Sequence, residues 1–291
     1  MAVFYRRLPK FEYLQPDSLE EVLSLMSANR EKAKIAAGGT DLIVQLRRRE
    51  IPTPDYVLDI KKISLLKNLT ADQQGLKIGA LVPIAEIAAS ESVKKNFQAL
   101  AQSSINIASP QIRNRATFTG NICNAVPSAD SAPPLLVLDA SVKLKSVKGE
   151  RSVPIAEFFT GVRKTAISPD EIVTEIFVPQ PASGAKSIYH KHSQRHSMDL
   201  ALVGAAVYSI KEGDTCREIR IALGAVAPTP MRAAKAEKIL SGHKVTQQLI
   251  DEAAHSAAAE CSPIDDHRAS AEYRRDMVQV LVRRALTEIL L

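Results

Sequence analysis

The chain has 291 residues, 45% of them hydrophobic, with 38 Lys and Arg against 32 Asp and Glu and a net charge of +6. That length suits two or three packed units, no apolar run reaches the ~18–20 residues of a membrane span, and aromatics at 4% with no Trp supply no stacking platform for nucleic acid. The three cysteines, Cys123, Cys216 and Cys261, form no CxxC pair, which excludes a disulfide framework and any iron–sulfur cluster held by four thiolates of this chain.

In chain order, residues 1–10 mix Arg6, Arg7 and Lys10 with Pro9 and lack the apolar core of a secretory signal, so a cytoplasmic location is expected. Residues 11–14 alternate as a short strand. Pro16-Asp17-Ser18 opens a helix, with Asp17 or Ser18 as cap and Leu19, Val22, Leu23 and Met26 as its apolar stripe. Residues 34–37 read as a brief buried strand entering a small-residue loop, Ala36-Ala37-Gly38-Gly39-Thr40-Asp41-Leu42. Residues 42–49 read as a helix whose closing cations, Arg47-Arg48-Arg49, suit its dipole and offer a surface to an acidic protein partner. The other basic groups, Arg113 with Arg115, Arg274-Arg275 and Arg283-Arg284, read as solvated helix faces. A strand at 56–60 completes a strand–helix–strand–helix–strand unit over 1–62.

A second unit, 63–178, begins with a strand at 76–80. Val82-Pro83-Ile84 opens a helix, and helical pieces continue to residue 107. A second small-residue loop runs from Thr117 through Phe118, Thr119, Gly120 and Asn121 to Asp130. Residues 133–138 read as helix, 141–147 and 151–154 as a hairpin turned at Lys148-Gly149, and 172–178 as a closing strand. Pro179, Pro181, Ser183 and Gly184 mark a linker. Beyond it, over 185–291, strands at 187–192, 202–211 and 218–226 precede helices at 231–240, 246–260 and 269–290. The expected class is α+β: two N-terminal subdomains over 1–178, then a domain with a small antiparallel sheet and helices.

Both small-residue loops set glycine beside hydroxyl, amide or carboxylate groups. Glycine lets backbone N–H groups approach a ligand closely, and two such loops about eighty residues apart can grip the two phosphates of one dinucleotide. Gly38-Gly39 permits a tight turn with φ > 0, and Thr40 and Asp41 stand at the mouth of the next helix. Thr117, Thr119 and Asn121 offer side-chain hydrogen bonds and Gly120 an unobstructed backbone N–H, while Asn124, Ser128 and Asp130 can meet the hydroxyls of a ribitol or ribose. Taken singly, each loop also suits a plain turn closing a sheet. No Gly-Lys-Ser/Thr and no GxGxxG accompanies them, so neither is a Walker loop or a Rossmann fingerprint.

Read together, these segments resemble a known family. AAGGTDL at 36–42, SPQIRN at 109–114 and TFTGNICNAVPSADSAPPLL at 117–136 closely match the FAD-binding medium subunits of the molybdenum hydroxylases, among them aerobic carbon monoxide dehydrogenase and xanthine dehydrogenase. FEYLQP at 11–16, SLEE at 18–21 and PDEIVTEI at 169–176 extend the match over essentially the whole chain. The resemblance implies a two-subdomain PCMH-type FAD domain followed by the C-terminal domain typical of these medium chains. It implies that Ile35, Ala36, Ala37, Gly38, Gly39, Thr40, Asp41 and Leu42 wrap the FAD pyrophosphate. Ala108, Thr117, Phe118, Thr119, Gly120 and Asn121 would supply the second phosphate and ribityl contacts. Asp130 matches an acidic residue that bonds the flavin chain, Val173 lies against the isoalloxazine or adenine, and Lys191 resembles a lysine near the flavin ring. Lys164 matches a further basic contact, in an unfixed register. One departure stands out: the family reads T-I-G-G-N, and Thr119 replaces the first of those glycines, which costs backbone freedom and weakens or shifts the loop's grip.

The resemblance also implies partners: a small subunit with two [2Fe–2S] clusters, a large molybdenum–pterin subunit, and an external electron acceptor. The chain would then pass electrons through FAD, with no catalytic acid or base of its own. Two other readings stand beside this one, a self-sufficient flavin oxidase or dehydrogenase and a structural subunit that has lost FAD. Three further groupings are read as structural. His190, His192 and His196 form an HxHxxxH pattern in which strand alternation puts His190 and His192 on one face, as ordinary surface or flavin-side residues, and no metal site is expected. Asp265-Asp266-His267 reads as a loop and cap, and Cys123 as a packing residue. Ser197 has no carboxylate placed to orient a neighbouring histidine, so no hydrolase triad is expected.

Overall fold

The computed structural model describes residues 7–195 and 197–291, so the reading of residues 1–6 and the third member of the HxHxxxH pattern, His196, lie outside the described residues. The chain opens with β1 (Glu12–Leu14), α1 (Leu19–Asn29), β2 (Ala33–Ala36), α2 (Leu42–Arg48) and β3 (Tyr56–Asp59). These strands form a parallel sheet in the order β1-β3-β2. Ser18 caps α1 by accepting from the Glu21 N–H, which satisfies one of the free donors at a helix start. The stripe of Leu19, Val22, Leu23 and Met26 packs on Leu58 and Ile60 of the sheet side and on Leu66, Leu81 and Ile172 of the next unit.

The middle unit holds β4 (Leu69–Ala71), β5 (Gly75–Gly79), α3 (Ile84–Ala89), α4 (Glu91–Asn96), α5 (Gln98–Asn106), α6 (Pro110–Arg113), α7 (Phe118–Asn124), α8 (Ala132–Val137), β6 (Ser141–Ser146), β7 (Gly149–Pro154), α9 (Ile155–Phe158), β8 (Phe159–Gly161), β9 (Lys164–Thr165) and β10 (Ile172–Pro179). Its sheet runs β4-β5-β10-β6-β7, fully antiparallel, beside a separate β8-β9 pair. Alternation in β6 buries Val142 and Leu144 under the helices, around a core that includes Phe97, Phe118 and Phe158. The second small-residue loop is partly helix: residues 118–124 form α7, because Thr117 caps its first turn.

The last unit contains β11 (Lys186–His192), β12 (Val203–Glu212), β13 (Thr215–Gly224), β14 (Met231–Arg232), α10 (Ala234–Leu240), α11 (Gln247–Glu260) and α12 (Ala271–Leu290). The four strands form one antiparallel sheet in chain order. Residues 231–232, expected in a helix, instead pair with Leu223 and Ala222. Arg232 then bonds Glu237 of α10, so the helix starts only after the strand has turned. Both faces of this sheet are buried. Ile188, Val207, Ile221 and Leu223 pack against α10, α11 and α12, while Tyr189, Ala206, Tyr208 and Ala222 join the core of the middle unit. The sheet is therefore held directly on α5 and α8. Ser187 Oγ accepts from Ala99 N at 3.3 Å, Gln102 Oε1 from Tyr189 N at 2.7 Å, and Arg220 spans to Asp139 at 2.8 Å. Among the described residues no helix is long and apolar enough to cross a membrane.

Candidate functional site

All three units meet at one cleft of about 1250 Å³. That exceeds the 300–1,000 Å³ usual for small-molecule sites and suits a long ligand. The first wall is the turn between β2 and α2. Only Gly39 of its two glycines has positive φ, at +74°. Gly38 serves close approach: a Cβ there would lie 2.1 Å from the Arg115 carbonyl oxygen. The two small-residue segments thus touch through backbone, which fixes their spacing. Ile35, Ala37, Gly38, Gly39, Thr40, Asp41 and Leu42 all line the cleft, whereas Ala36 turns into a small core with Leu46 and Val57. Burial pushes the Asp41 carboxyl up, and Arg163 opposes the shift.

The second wall starts at Thr117. Its hydroxyl accepts from Gly120 N at 2.9 Å, so the Gly120 N–H read as unobstructed is already engaged in the helix cap. Asn121 Oδ1 accepts from Ser131 Oγ at 2.5 Å, and Asn124 Oδ1 from Gln45 Nε2 at 2.7 Å, which ties α7 to α2. Phe118 is fully buried in the core of the middle unit and presents no ring to the cleft. Thr119 has helical backbone and is absent from the positive-φ positions, so this site does not need a glycine's freedom. Its hydroxyl is buried without any hydrogen-bond partner in a residue that lines the cleft. Cys123 also lines it, and burial pushes its thiol up to about 12, consistent with a packing role.

Asp130 and Val173 also line the cleft. Val173 sits at an irregularity of β10, where the register to β6 shifts before Glu175. Asp130 Oδ1 accepts from Tyr189 Oη at 2.6 Å and Oδ2 from Lys191 Nζ at 2.8 Å. Burial raises this carboxyl's pKa, opposed by the Lys191 ammonium and then the Tyr189 hydroxyl. Burial and the Asp130 charge push the Tyr189 phenol well above its usual range. Ala108, at φ +47°, lines the cleft beside this group. Lys191 itself is buried behind Asp130 and does not line the cleft. Arg163 and Thr165 line it in place of Lys164, which points outward on β9.

The remaining wall was not read from the sequence. Gln194, Arg195, Met198, Asp199, His267 and Arg268 come from two loops of the last unit, joined where Gln194 Nε2 donates to Arg268 O at 3.0 Å. Asp265-Asp266-His267, read as a loop and cap, does fold the second of these loops: Asp265 Oδ1 accepts from Ala271 N at 2.7 Å. Strand alternation sends His190 and His192 away from the cleft. His190 Nε2 lies 3.3 Å from Glu288, and His192 Nε2 lies 2.9 Å from Tyr273 Oη, both partners on α12. Among the described residues no group of His, Cys, Asp and Glu could hold a metal ion.

Comparison with known proteins agrees with this geometry. Residues 9–181 match the family described as the FAD binding domain in molybdopterin dehydrogenase, and residues 188–289 the CO dehydrogenase flavoprotein C-terminal domain. The chain is 33% identical over 278 residues to the xanthine dehydrogenase FAD-binding subunit of Escherichia coli O157:H7, covering 95% of this chain and 94% of that one. It is 34% identical over 278 residues to the carbon monoxide dehydrogenase medium chain of Hydrogenophaga pseudoflava, with 96% of each chain covered. A solved structure of carbon monoxide dehydrogenase from the same organism superposes with a TM-score of 0.93 at 34% identity, covering 97% of both chains. Quinoline 2-oxidoreductase from Pseudomonas putida 86 gives 0.91 at 27% identity, covering 98% of both. Fold and cleft together define a flavoprotein oxidoreductase built on the two-subdomain PCMH-type fold with a small sheet-and-helix domain behind it. Within that class, the chain belongs to the FAD-binding medium subunits of the molybdenum hydroxylase and carbon monoxide dehydrogenase family, and is one component of a multi-subunit oxidoreductase.

Proposed function

We propose that FAD spans the cleft and passes electrons from [2Fe–2S] clusters of a small partner subunit to an external acceptor, while substrate is oxidised on a large molybdenum–pterin subunit. The observation that carries this reading is a single cleft bounded by both small-residue segments, with the Thr119 hydroxyl buried there unpartnered. A buried hydroxyl without a bond is costly, and a polar ligand in the cleft supplies the missing partner. Ile35 and the segment from Ala37 to Leu42 would hold the pyrophosphate side. Ala36 and Phe118 would contribute backbone alone, since their side chains lie in cores. Ala108, Thr117, Thr119, Gly120 and Asn121 would hold the second phosphate and ribityl side, with Asp130 on the flavin chain and Val173 against the isoalloxazine or adenine. On this reading the chain divides at the linker, into 1–178 and 185–291.

Bound FAD supplies the two-electron and one-electron chemistry that lets such a protein connect unlike redox partners. The chain's own residues orient the cofactor and exclude water from it. No catalytic acid or base is assigned. A visible spectrum after reconstitution with FAD checks the first claim: no flavin absorbance would refute it. Purification from the native host checks the second. One small iron–sulfur chain and one large molybdenum chain should accompany this protein, and a catalytically complete single polypeptide would overturn the multi-chain reading.

A further inference from the structure

We infer that Lys191 governs cofactor binding through Asp130, as a positioning residue, and does not itself touch the flavin; this rests on the FAD reading above. An ammonium has three protons and no acceptor. All three are committed: to Asp130 Oδ2 at 2.8 Å, to Asp199 O at 2.9 Å and to Asn106 O at 3.1 Å. The side chain is 6% exposed and forms no part of the cleft lining. Asp130, by contrast, lines the cleft and keeps acceptor capacity after its bonds to Lys191 and Tyr189. The ligand-facing atoms are therefore the carboxylate's, and the ammonium sits behind them.

The three acceptors belong to three separate segments. Asn106 ends α5 just before the strained Ala108, Asp130 precedes α8, and Asp199 lies in the rim loop of the last unit. One buried charge thus joins the middle unit to the C-terminal sheet beside the cleft. Tyr189 is held in turn by Gly204, where an added Cβ would meet its hydroxyl at 2.8 Å. Removing Lys191 leaves a buried carboxylate without its counter-ion. Such a group takes up a proton rather than remain charged, and so ceases to be a full acceptor.

The test is a double-mutant cycle on FAD affinity, measured by titrating apoprotein with FAD for wild type, K191M, D130N and the pair. Each single variant should weaken binding about tenfold or more, the scale of a lost charge-assisted bond, and the pair should be no weaker than D130N alone. In K191M the affinity should recover as pH rises, because Asp130 ionises again; D130N should abolish that recovery. A loss in K191M that is flat with pH and multiplies with that of D130N would overturn the inference and place Lys191 on the cofactor. If K191M does not fold, D130N against the pair decides alone: equal affinities support the inference and a further tenfold loss sinks it. Failure of the wild type to bind FAD would sink the functional reading instead.

Discussion

Replacing Gly38 with alanine tests whether the two small-residue segments act as one cradle. The new Cβ would lie 2.1 Å from Arg115 O, 2.7 Å from its carbonyl carbon and 2.9 Å from the Ala116 Cα. Every one of these atoms is main chain, so no side chain can rotate aside. The segment they belong to is anchored as well. Arg115 N and Ala116 N both bond Ile112 O, at 2.9 and 2.7 Å, and Ala116 O accepts from Ile84 N at 2.9 Å. Relief therefore means parting the two walls by roughly 1 Å, to reach ordinary contact distance. Overpacking of this kind costs about 1–3 kcal/mol in stability. On the proposed reading, parting the walls would also loosen phosphate contacts from both sides, for an expected loss of FAD affinity of at least tenfold, or roughly 1.4 kcal/mol. Gly39→Ala is the control. Its φ of +74° makes alanine strained, at about 1–2 kcal/mol, yet its Cβ would meet only Ile43 Cγ1 at 3.5 Å and leaves the walls in place. Thermal melts and fluorescence titration of apoprotein with FAD read both quantities. If Gly38→Ala binds FAD within twofold of wild type and melts unchanged, the backbone contact does not set the cradle.

Four further outcomes are expected. Thr119→Val removes a buried hydroxyl that has no partner, so the apoprotein should melt at an equal or higher temperature while FAD binds several-fold more weakly; a less stable apoprotein would contradict the orphaned bond. The Asp59 carboxyl is pushed up by burial, but bonds from Lys61, Tyr13 and Gln15 hold it at about 2. With the unfolded value near 3.9, roughly 2 kcal/mol of stability is complete above about pH 4 and fades as pH falls toward 2. Urea titrations at pH 7, 4 and 2.5 should show a steeper decline for wild type than for Asp59→Asn, and parallel declines would count against it. Gly204→Ala should displace the Tyr189 hydroxyl and lower the melting temperature, with Tyr189→Phe restoring part of the loss; no rescue would show that the clash is relieved elsewhere. Cys123, with its thiol raised to about 12, should alkylate far more slowly at pH 8 than a free thiol, a point that mass spectrometry of timed iodoacetamide samples checks directly.

The elements of the first unit and the two small-residue segments that line the cleft were legible because they rest on local signals. Ser18 followed by the Leu19, Val22, Leu23 and Met26 stripe announces α1, and paired glycines announce the first turn. Residues 118–124 were less legible. A run of Thr, Gly and Asn carries little helix propensity, and α7 exists because Thr117 caps it and Phe118 and Ile122 are driven into the core. Gly38 was read for a tight turn with positive φ, a conformation that only Gly39 of the pair adopts. The need of Gly38 is for space against residue 115, and no sequence window reveals a contact between segments so far apart. The same limit hid Arg163 and the loops carrying Met198 and His267, whose place on the cleft depends on how the last sheet sits on α5 and α8. Strand alternation did carry real information in β11. It separates Lys191 from His190 and His192, although it cannot say which face looks toward the cleft.

The docking of β11 sets an order on the birth of the molecule. The ribosome delivers both glycine-bearing segments and Asp130 well before Lys191, Asp199 and the turn carrying His267. An early chain therefore holds a carboxylate whose partners have not yet been made and a furrow lacking its last wall. On the proposed reading, a ribosome-stalled product ending near residue 180 lacks Lys191, Asp199 and the His267 turn and should emerge without bound FAD.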